Sequence, residues 1–158
     1  MENNKILIWT DGGAKNNGNK NKIILSAWAY TMNFGEHTKE DSGIFINGTN
    51  QMMEIRAVIE ALKALKRTDI PVIIYSDSAY VCNCIKDRWY AGWIRNGWRN
   101  AKGKDVANQD LWKELLKQIE RFESIELHKV REHSDNKGNN RADELVNLEL
   151  DKHEKGKL

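Results

Sequence analysis

One unbroken apolar run, opened by a proline and closed by a carboxylate, governs what this chain can become. Val72-Ile73-Ile74-Tyr75 follows Pro71 and leads through Ser76 to Asp77. Proline is accommodated at the first residue of a strand. Four apolar residues without alternation describe a central strand covered on both faces. The chain then turns at once into a helix, expected over residues 78–87. Asp77 therefore stands at the carboxyl end of a buried strand, where ligand sites form in open α/β sheets. Taken alone, a helix cap is the commoner reason for an aspartate there. If it is not a cap, its buried charge requires a cation or a donor.

The 158 residues suffice for one domain with a real core, spanning 1–158. No apolar stretch approaches the roughly 20 residues of a membrane span. Residues 1–5 (Met-Glu-Asn-Asn-Lys) lack the pattern of a signal peptide, so a cytoplasmic protein without membrane contact is expected. Cys82 and Cys84 read as helix residues of a reduced protein. Net charge is only +2, but residues 86–104 hold six basic side chains against one acid. That segment carries +5 and leaves −3 for the rest, which points to a polyanionic partner.

The remaining pattern is three strands, then helix–strand–helix twice. Strands are expected at residues 5–10, 23–31 and 42–47, with a turn-rich loop at 11–19. In the first strand Leu7, Trp9 and Asp11 share one side, and Ile6 and Ile8 the other. Ile55, Val58, Ile59, Leu62 and Leu65 mark a helix over 50–67, capped by Thr49 or Asn50. Glu54 falls in its first turn, at the edge of the apolar stripe, and Glu60 points to solvent. A Trp/Arg-rich segment occupies 88–99. A helix follows at 106–122 with Leu111, Leu115, Ile119 and Phe122 inward. A strand at 124–130, a polar loop at 132–140 and a closing helix from 141 to about 152 complete the chain. This order suggests an α/β fold: a mixed five-stranded sheet, three antiparallel strands then two parallel, with helices on both faces.

Asp11 and Asp77 both sit at strand ends in this reading. Were those strands adjacent and parallel, the two carboxylates would lie side by side and repel unless a cation intervened. Oxygen ligands without thiolate suit hard divalent ions such as Mg²⁺ or Mn²⁺. His133, in a polar loop, has the chemistry to move protons, though an exposed loop histidine needs no function.

The ordered set Thr10-Asp11-Gly12-Gly13-Ala14 with Asn17, Thr49-Asn50-Gln51-Met52-Met53-Glu54, Asp77-Ser78-Ala79-Tyr80-Val81, Val130-Arg131-Glu132-His133 and Asn139-Asn140-Arg141-Ala142-Asp143-Glu144-Leu145 resembles type 1 ribonuclease H of the bacterial single-domain kind. The resemblance runs from about residue 5 to 146. It implies a ribonuclease H-like fold and endonucleolytic cleavage of the RNA strand of RNA–DNA hybrids, leaving 5′-phosphate and 3′-hydroxyl ends. It also selects Asp143 over the neighbouring Glu144, which periodicity does not. By resemblance Asp11 bridges two Mg²⁺ ions in the substrate complex, Asp143 shares the ion on the water side, and Glu54 and Asp77 hold the ion on the leaving-oxygen side. His133 assists proton transfer or product departure.

Substrate contacts are expected from Gly12 and Gly13 through their backbone, from Asn50 and Gln51 at the ribose 2′-hydroxyl, and from Asn17 and Thr49 at a DNA phosphate. The basic protrusion at about 86–104 resembles the family's hybrid grip, with Trp89, Trp93, Arg95, Arg99 and Lys102 as its contacts; the tryptophans serve equally as anchors to the core. The chain departs from the common pattern at Gln51, often asparagine, at Ala79, often glutamine, and at Asn47, often basic. A monomer without an obligate protein partner is expected. Two other readings share this fold: a nuclease or resolvase acting on DNA, and a non-catalytic hybrid-binding module.

Overall fold

The computed structural model describes residues 4–16, 23–131 and 136–156. Its elements, in chain order, are β1 (Ile6–Asn16), β2 (Ile24–Phe34), β3 (His37–Ile46), α1 (Asn50–Lys63), β4 (Val72–Ser76), α2 (Ala79–Lys86), α3 (Trp89–Arg95), α4 (Gln109–Glu120), β5 (Ile125–Lys129) and α5 (Lys137–Gly156). The five strands form one sheet in the order β3-β2-β1-β4-β5. β1, β2 and β3 pair antiparallel, whereas β4 pairs parallel with both β1 and β5. This is the expected mixed sheet. None of the described helices is long and apolar enough to cross a membrane.

The two faces of the sheet bury different cores. On one, Ile6, Ile8, Tyr30, Met32 and Ile74 pack with α1 residues Ile55, Val58, Ile59 and Leu62 and with Trp112 and Leu115 of α4. On the other, Leu25, Ala27 and Ala29 meet Val146 and Leu150 of α5. The period of two assigns alternate residues of β2 to the two cores. α5 is also tied to the edge strand: Arg141 donates to both carboxylate oxygens of Glu40, at 2.7 and 2.9 Å, and the Ser42 hydroxyl donates to Glu149 at 2.7 Å.

Several element limits differ from expectation for identifiable reasons. β1 does not stop at Thr10. Gly12 to Asn16 continue it, laddered against Trp28 to Ile24 of β2, so the expected loop begins as strand. β3 starts at His37 rather than Ser42 because it is an edge strand, exposed over its polar first half. A two-residue link, Gly35-Glu36, joins it to β2, with Gly35 at φ 60°. α1 ends at Lys63, four residues early. There the Arg121 guanidinium donates to the carbonyls of Leu62 (3.0 Å) and Leu65 (2.6 Å). α4 begins only at Gln109, after Asn108 takes a left-handed conformation at φ 61°. α5 begins at Lys137, four residues before the expected 141. Glu60 is half-buried beside Arg56 rather than free in solvent. The apolar pattern also passed over Trp112, which is fully buried and whose Nε1 donates to the Tyr80 hydroxyl at 3.1 Å.

Gly12 is where fold and site meet. A Cβ added there would strike the Met53 carbonyl carbon and stand 2.6 Å from the Glu54 amide nitrogen. Only glycine lets α1 press its second turn against β1. Gly12→Ala is expected to cost about 3 kcal/mol, at the upper end of overpacking penalties. Urea unfolding of the two proteins, compared at equal slope, measures it.

Candidate active site

β4 ends at Ser76, whose partner across the parallel ladder is Thr10. The next residue on each strand is a carboxylate, Asp11 and Asp77, so the last rung of the ladder delivers the pair side by side. Asp11 is thus not at a strand end, as its loop-like context suggested; it lies where parallel pairing stops while β1 continues with β2. Asp77 does not cap α2. The Ser78 hydroxyl does so, accepting from Val81 N at 3.1 Å, while Ser76 Oγ accepts from Ser78 N at 3.0 Å. Thr49 caps α1 in the same way, accepting from Met52 N at 3.1 Å. Since α1 starts at Asn50, Glu54 is its fifth residue, in the second turn rather than the first. That extra turn carries it over Gly12 toward Asp11.

Ligand oxygens of Asp11, Glu54 and Asp77 all lie within 4.8 Å of one another. Asp143 enters from α5 and lines the same cleft of about 480 Å³ with them. Asn147, one turn further along α5, donates to Asp143 at 3.5 Å. Burial pushes the Asp11 carboxyl up to about 8, with the charges of Asp77 and then Asp143 adding to it; the Gly12 amide, which donates to it, opposes the rise. Burial also raises Glu54 well above the usual carboxylate range, helped by Asp11 and Asp77 and again opposed by the Gly12 amide. Glu54 Oε1 is buried without a hydrogen-bond partner among the described residues. Crowded like charges, an orphaned acceptor and an all-oxygen donor set together fit a hard divalent cation. The nearby Cys82 thiol, pushed up to about 11 by burial, brings no thiolate to the set.

The other expected residues divide into groups. Gly13 and Asn50 line the cleft, and Asn50 Oδ1 accepts from Ala14 N at 2.7 Å, tying α1 to the extended part of β1. Gly12 also lines it, but its missing side chain makes room for α1 rather than for substrate. Thr49 and Gln51 are exposed and do not line the cleft. Trp93 stands among Trp89, Trp98 and Trp112, with ring centroids 6.4, 5.9 and 5.8 Å away, and anchors the Trp/Arg segment to the core. Trp89, at 39% exposure, is the outward ring of that cluster. Arg95, Arg99 and Lys102 are exposed and outside the cleft, on α3 and the turn after it. Asn47 takes φ 64° and its Oδ1 accepts from Ile24 N at 3.0 Å, a strand-ending role that suits asparagine better than a base. Asn17 and His133 lie outside the described residues. The sequence reading passed over Lys15, Val146, Asn147 and Leu150 as cleft residues. Extending β1 by period two would have placed Lys15 on the side of Asp11, and helical spacing from Asp143 would have found Asn147.

A mixed α/β sheet here gathers acidic side chains beyond its central parallel pair, a donor set suited to metal-assisted hydrolysis. The RNase H family model matches residues 3–150. Ribonuclease H of Syntrophomonas wolfei is 44% identical over 142 residues, covering 90% of this chain and 93% of the relative; that of Clostridium botulinum is 42% identical over 147 residues, covering 93% and 96%. The chain belongs to the RNase H family. Among solved structures, a foamy viral protease–reverse transcriptase in complex with an RNA/DNA hybrid superposes with a TM-score of 0.80 at 25% identity, over 92% of this chain and 20% of that one. LC9-RNase H1, described as a type 1 RNase H with the type 2 active-site motif, shares the fold at a TM-score of 0.76 and 22% identity, over 94% of this chain and 72% of that one.

The crowding of Asp11 has a measurable consequence. Its folded pKa is raised, so folding binds a proton between about pH 4 and pH 8. The stability linked to this group is complete below the unfolded value and is lost as pH rises through that window. In EDTA, Asp11→Asn should therefore melt higher than the parent by about 5 °C at pH 8. The two should converge near pH 4. Adding Mg²⁺ at pH 8 should raise the melting temperature of the parent more than that of the variant.

Proposed function

We propose that this protein is an endonuclease that hydrolyses the RNA strand of RNA–DNA hybrids, leaving 5′-phosphate and 3′-hydroxyl ends. The convergence of Asp11, Glu54 and Asp77 at the end of the β1–β4 ladder, with Asp143 in the same cleft, carries this reading. These four carboxylates would hold two divalent ions, Mg²⁺ or Mn²⁺, once substrate is bound. Such ions supply charge neutralisation at the attacked phosphate and lower the cost of ionising the attacking water.

The residues of the chain do the rest. Asp11, central to the group, must release its proton for the set to act, and the Gly12 amide favours its charged form. The same amide orients Glu54. Gly13 keeps the floor of the cleft low, and Asn50 stands beside it, where the ribose 2′-hydroxyl separates RNA from DNA. Gln51, Thr49 and Asn17 complete the contacts to the two backbones, and His133 moves a proton or aids product departure. The chain works as a single catalytic domain, monomeric and cytoplasmic, and its basic protrusion at about 86–104, anchored by Trp93, grips the hybrid away from the cut through Trp89, Arg95, Arg99 and Lys102.

Labelled RNA–DNA hybrid, single-stranded RNA, duplex RNA and duplex DNA, each incubated with Mg²⁺ and with EDTA, test the reading. Metal-dependent cutting of the RNA strand of the hybrid alone is expected. Asp11→Asn should retain hybrid binding and lose at least about 10³-fold in turnover, the scale of losing a preorganised electrostatic group. Cutting of duplex DNA would instead mean a resolvase-like enzyme. Replacing Arg95, Arg99 and Lys102 together by Ala should raise KM and reduce the slope of log K against log salt by two to three, about one per lost phosphate contact. An unaltered slope would remove the protrusion from the substrate interface.

A further inference from the structure

We propose that Lys15 is a substrate-binding residue whose ammonium takes a backbone phosphate of the bound hybrid beyond the reacting one, and that Glu154 holds that ammonium in the free protein. The proposal rests on the hydrolytic reading above and adds to it a contact and a competitor.

The geometry is that of two rows running side by side. Asp11, Gly13 and Lys15 alternate along the extended part of β1, so they share one side of the strand. Asp143, Asn147, Leu150 and Glu154 follow at helical spacing along α5. The β1 row spans about 13 Å at the rise of a strand. The α5 row spans about 16 Å at the rise of a helix. The rows therefore keep pace from the carboxylates at one end to Lys15 and Glu154 at the other. The cleft lies between them, walled by Val146 and Leu150, and Lys15 lines it. Gly13 leaves its middle open: a Cβ there would sit 3.4 Å from Val146 Cγ1, on the floor of the cleft.

Among the described residues Lys15 is the only cation lining this cleft, against four carboxylates. A polyanion entering it meets repulsion until it reaches that ammonium. Lys15 Nζ lies 3.1 Å from Glu154 Oε2, and the two side chains are 46% and 37% exposed. An ion pair so open to water is held weakly. A phosphate can therefore displace the Glu154 carboxylate at small cost, and the lysine needs no rebuilding to receive it. Were the pair only a clamp of α5 onto β1, losing either partner would have the same effect. As a phosphate site with an internal competitor, losing the two partners has opposite effects.

Steady-state cleavage of hybrid across a salt series by the parent, Lys15→Gln, Lys15→Arg and Glu154→Gln decides between these. Lys15→Gln should raise KM about three- to ten-fold and lower the salt slope by about one, as loss of one phosphate contact does. Lys15→Arg should restore both. Glu154→Gln should lower KM about two-fold or more by freeing the lysine. KM rising in both Gln variants, with melting temperatures falling together, would make the pair a clamp and overturn the proposal. An unchanged KM and slope in Lys15→Gln, with the parent cutting hybrid, would overturn it while leaving the hydrolytic reading intact. A parent that cuts no hybrid would overturn both.

Discussion

The site exists because the fold holds carboxylates closer than they would choose. Ligand oxygens of Asp11, Glu54 and Asp77 share a space of 4.8 Å. Burial raises the proton affinity of Asp11 and Glu54, and the neighbouring carboxylate charges raise it further. Such a cluster opposes folding near neutral pH, so the rest of the molecule must impose it. The β1–β4 ladder fixes two members by register. The apolar face of α1, locked among Ile8, Tyr30 and Ile74, fixes the third. A bound cation would convert the repulsion into coordination, so the strain of the free protein would become affinity for the ion.

α1 is consequently both core and active site, and the boundary runs through two adjacent residues. Met53 is fully buried, while Glu54 turns into the cleft. Gly12 makes this possible from the opposite side by offering no Cβ to the backbone of α1. α5 has a comparable double duty. Val146 and Leu150 close the second core, yet they also wall the cleft that Asp143 enters. Its tie to β3 through Arg141 and Glu40 lies on the exposed side, where a bidentate pair sets orientation more than stability.

Much of this was legible in the sequence where a residue's local context and its role coincide. Val72 to Ser76 is a central strand in composition and in place, although only Val72, Ile74 and Ser76 are fully buried and Ile73 and Tyr75 on its other face are half-buried; the five-stranded mixed sheet followed from the order of elements. Asp77 was legible as a strand-end carboxylate, but excluding it as a cap required seeing Ser78 take that role. Glu54 sits where its own helix makes it an ordinary stripe-edge residue; only the approach of α1 to Gly12 brings it beside Asp11 and Asp77, and that contact is long-range. The same holds for the second half of β1. Gly12 to Asn16 reads as turn because glycine and asparagine disfavour strands locally, yet the ladder from β2 overrides that preference. Trp112 was hidden for the opposite reason: it lies in an aromatic cluster joining α2, α3 and α4, whose members are scattered along the chain.

The charge pattern resolves an apparent conflict. A site built from carboxylates must attract a polyanion. A net charge of +2 gives little help when spread over 158 residues, and repulsion from the cleft is strongest at contact. The chain separates the two demands in space. Six basic residues lie within 86–104, and Arg95, Arg99 and Lys102 among them are exposed outside the cleft; in the proposed function they would attract a charged duplex over a Debye length of about 8 Å at physiological salt. Trp93 and Trp112 fasten that segment to the core, so attraction at the protrusion would be transmitted to a rigid body rather than dissipated in a loose arm. Inside the cleft the acids would then be free to serve cation binding. In the proposed function, discrimination between nucleic acids would rest on the shallow floor at Gly13 and the amide of Asn50, whose carbonyl oxygen is already committed to Ala14 N. The same hydrogen bond that holds Asn50 in place thus leaves its amide protons as the group available to a 2′-hydroxyl.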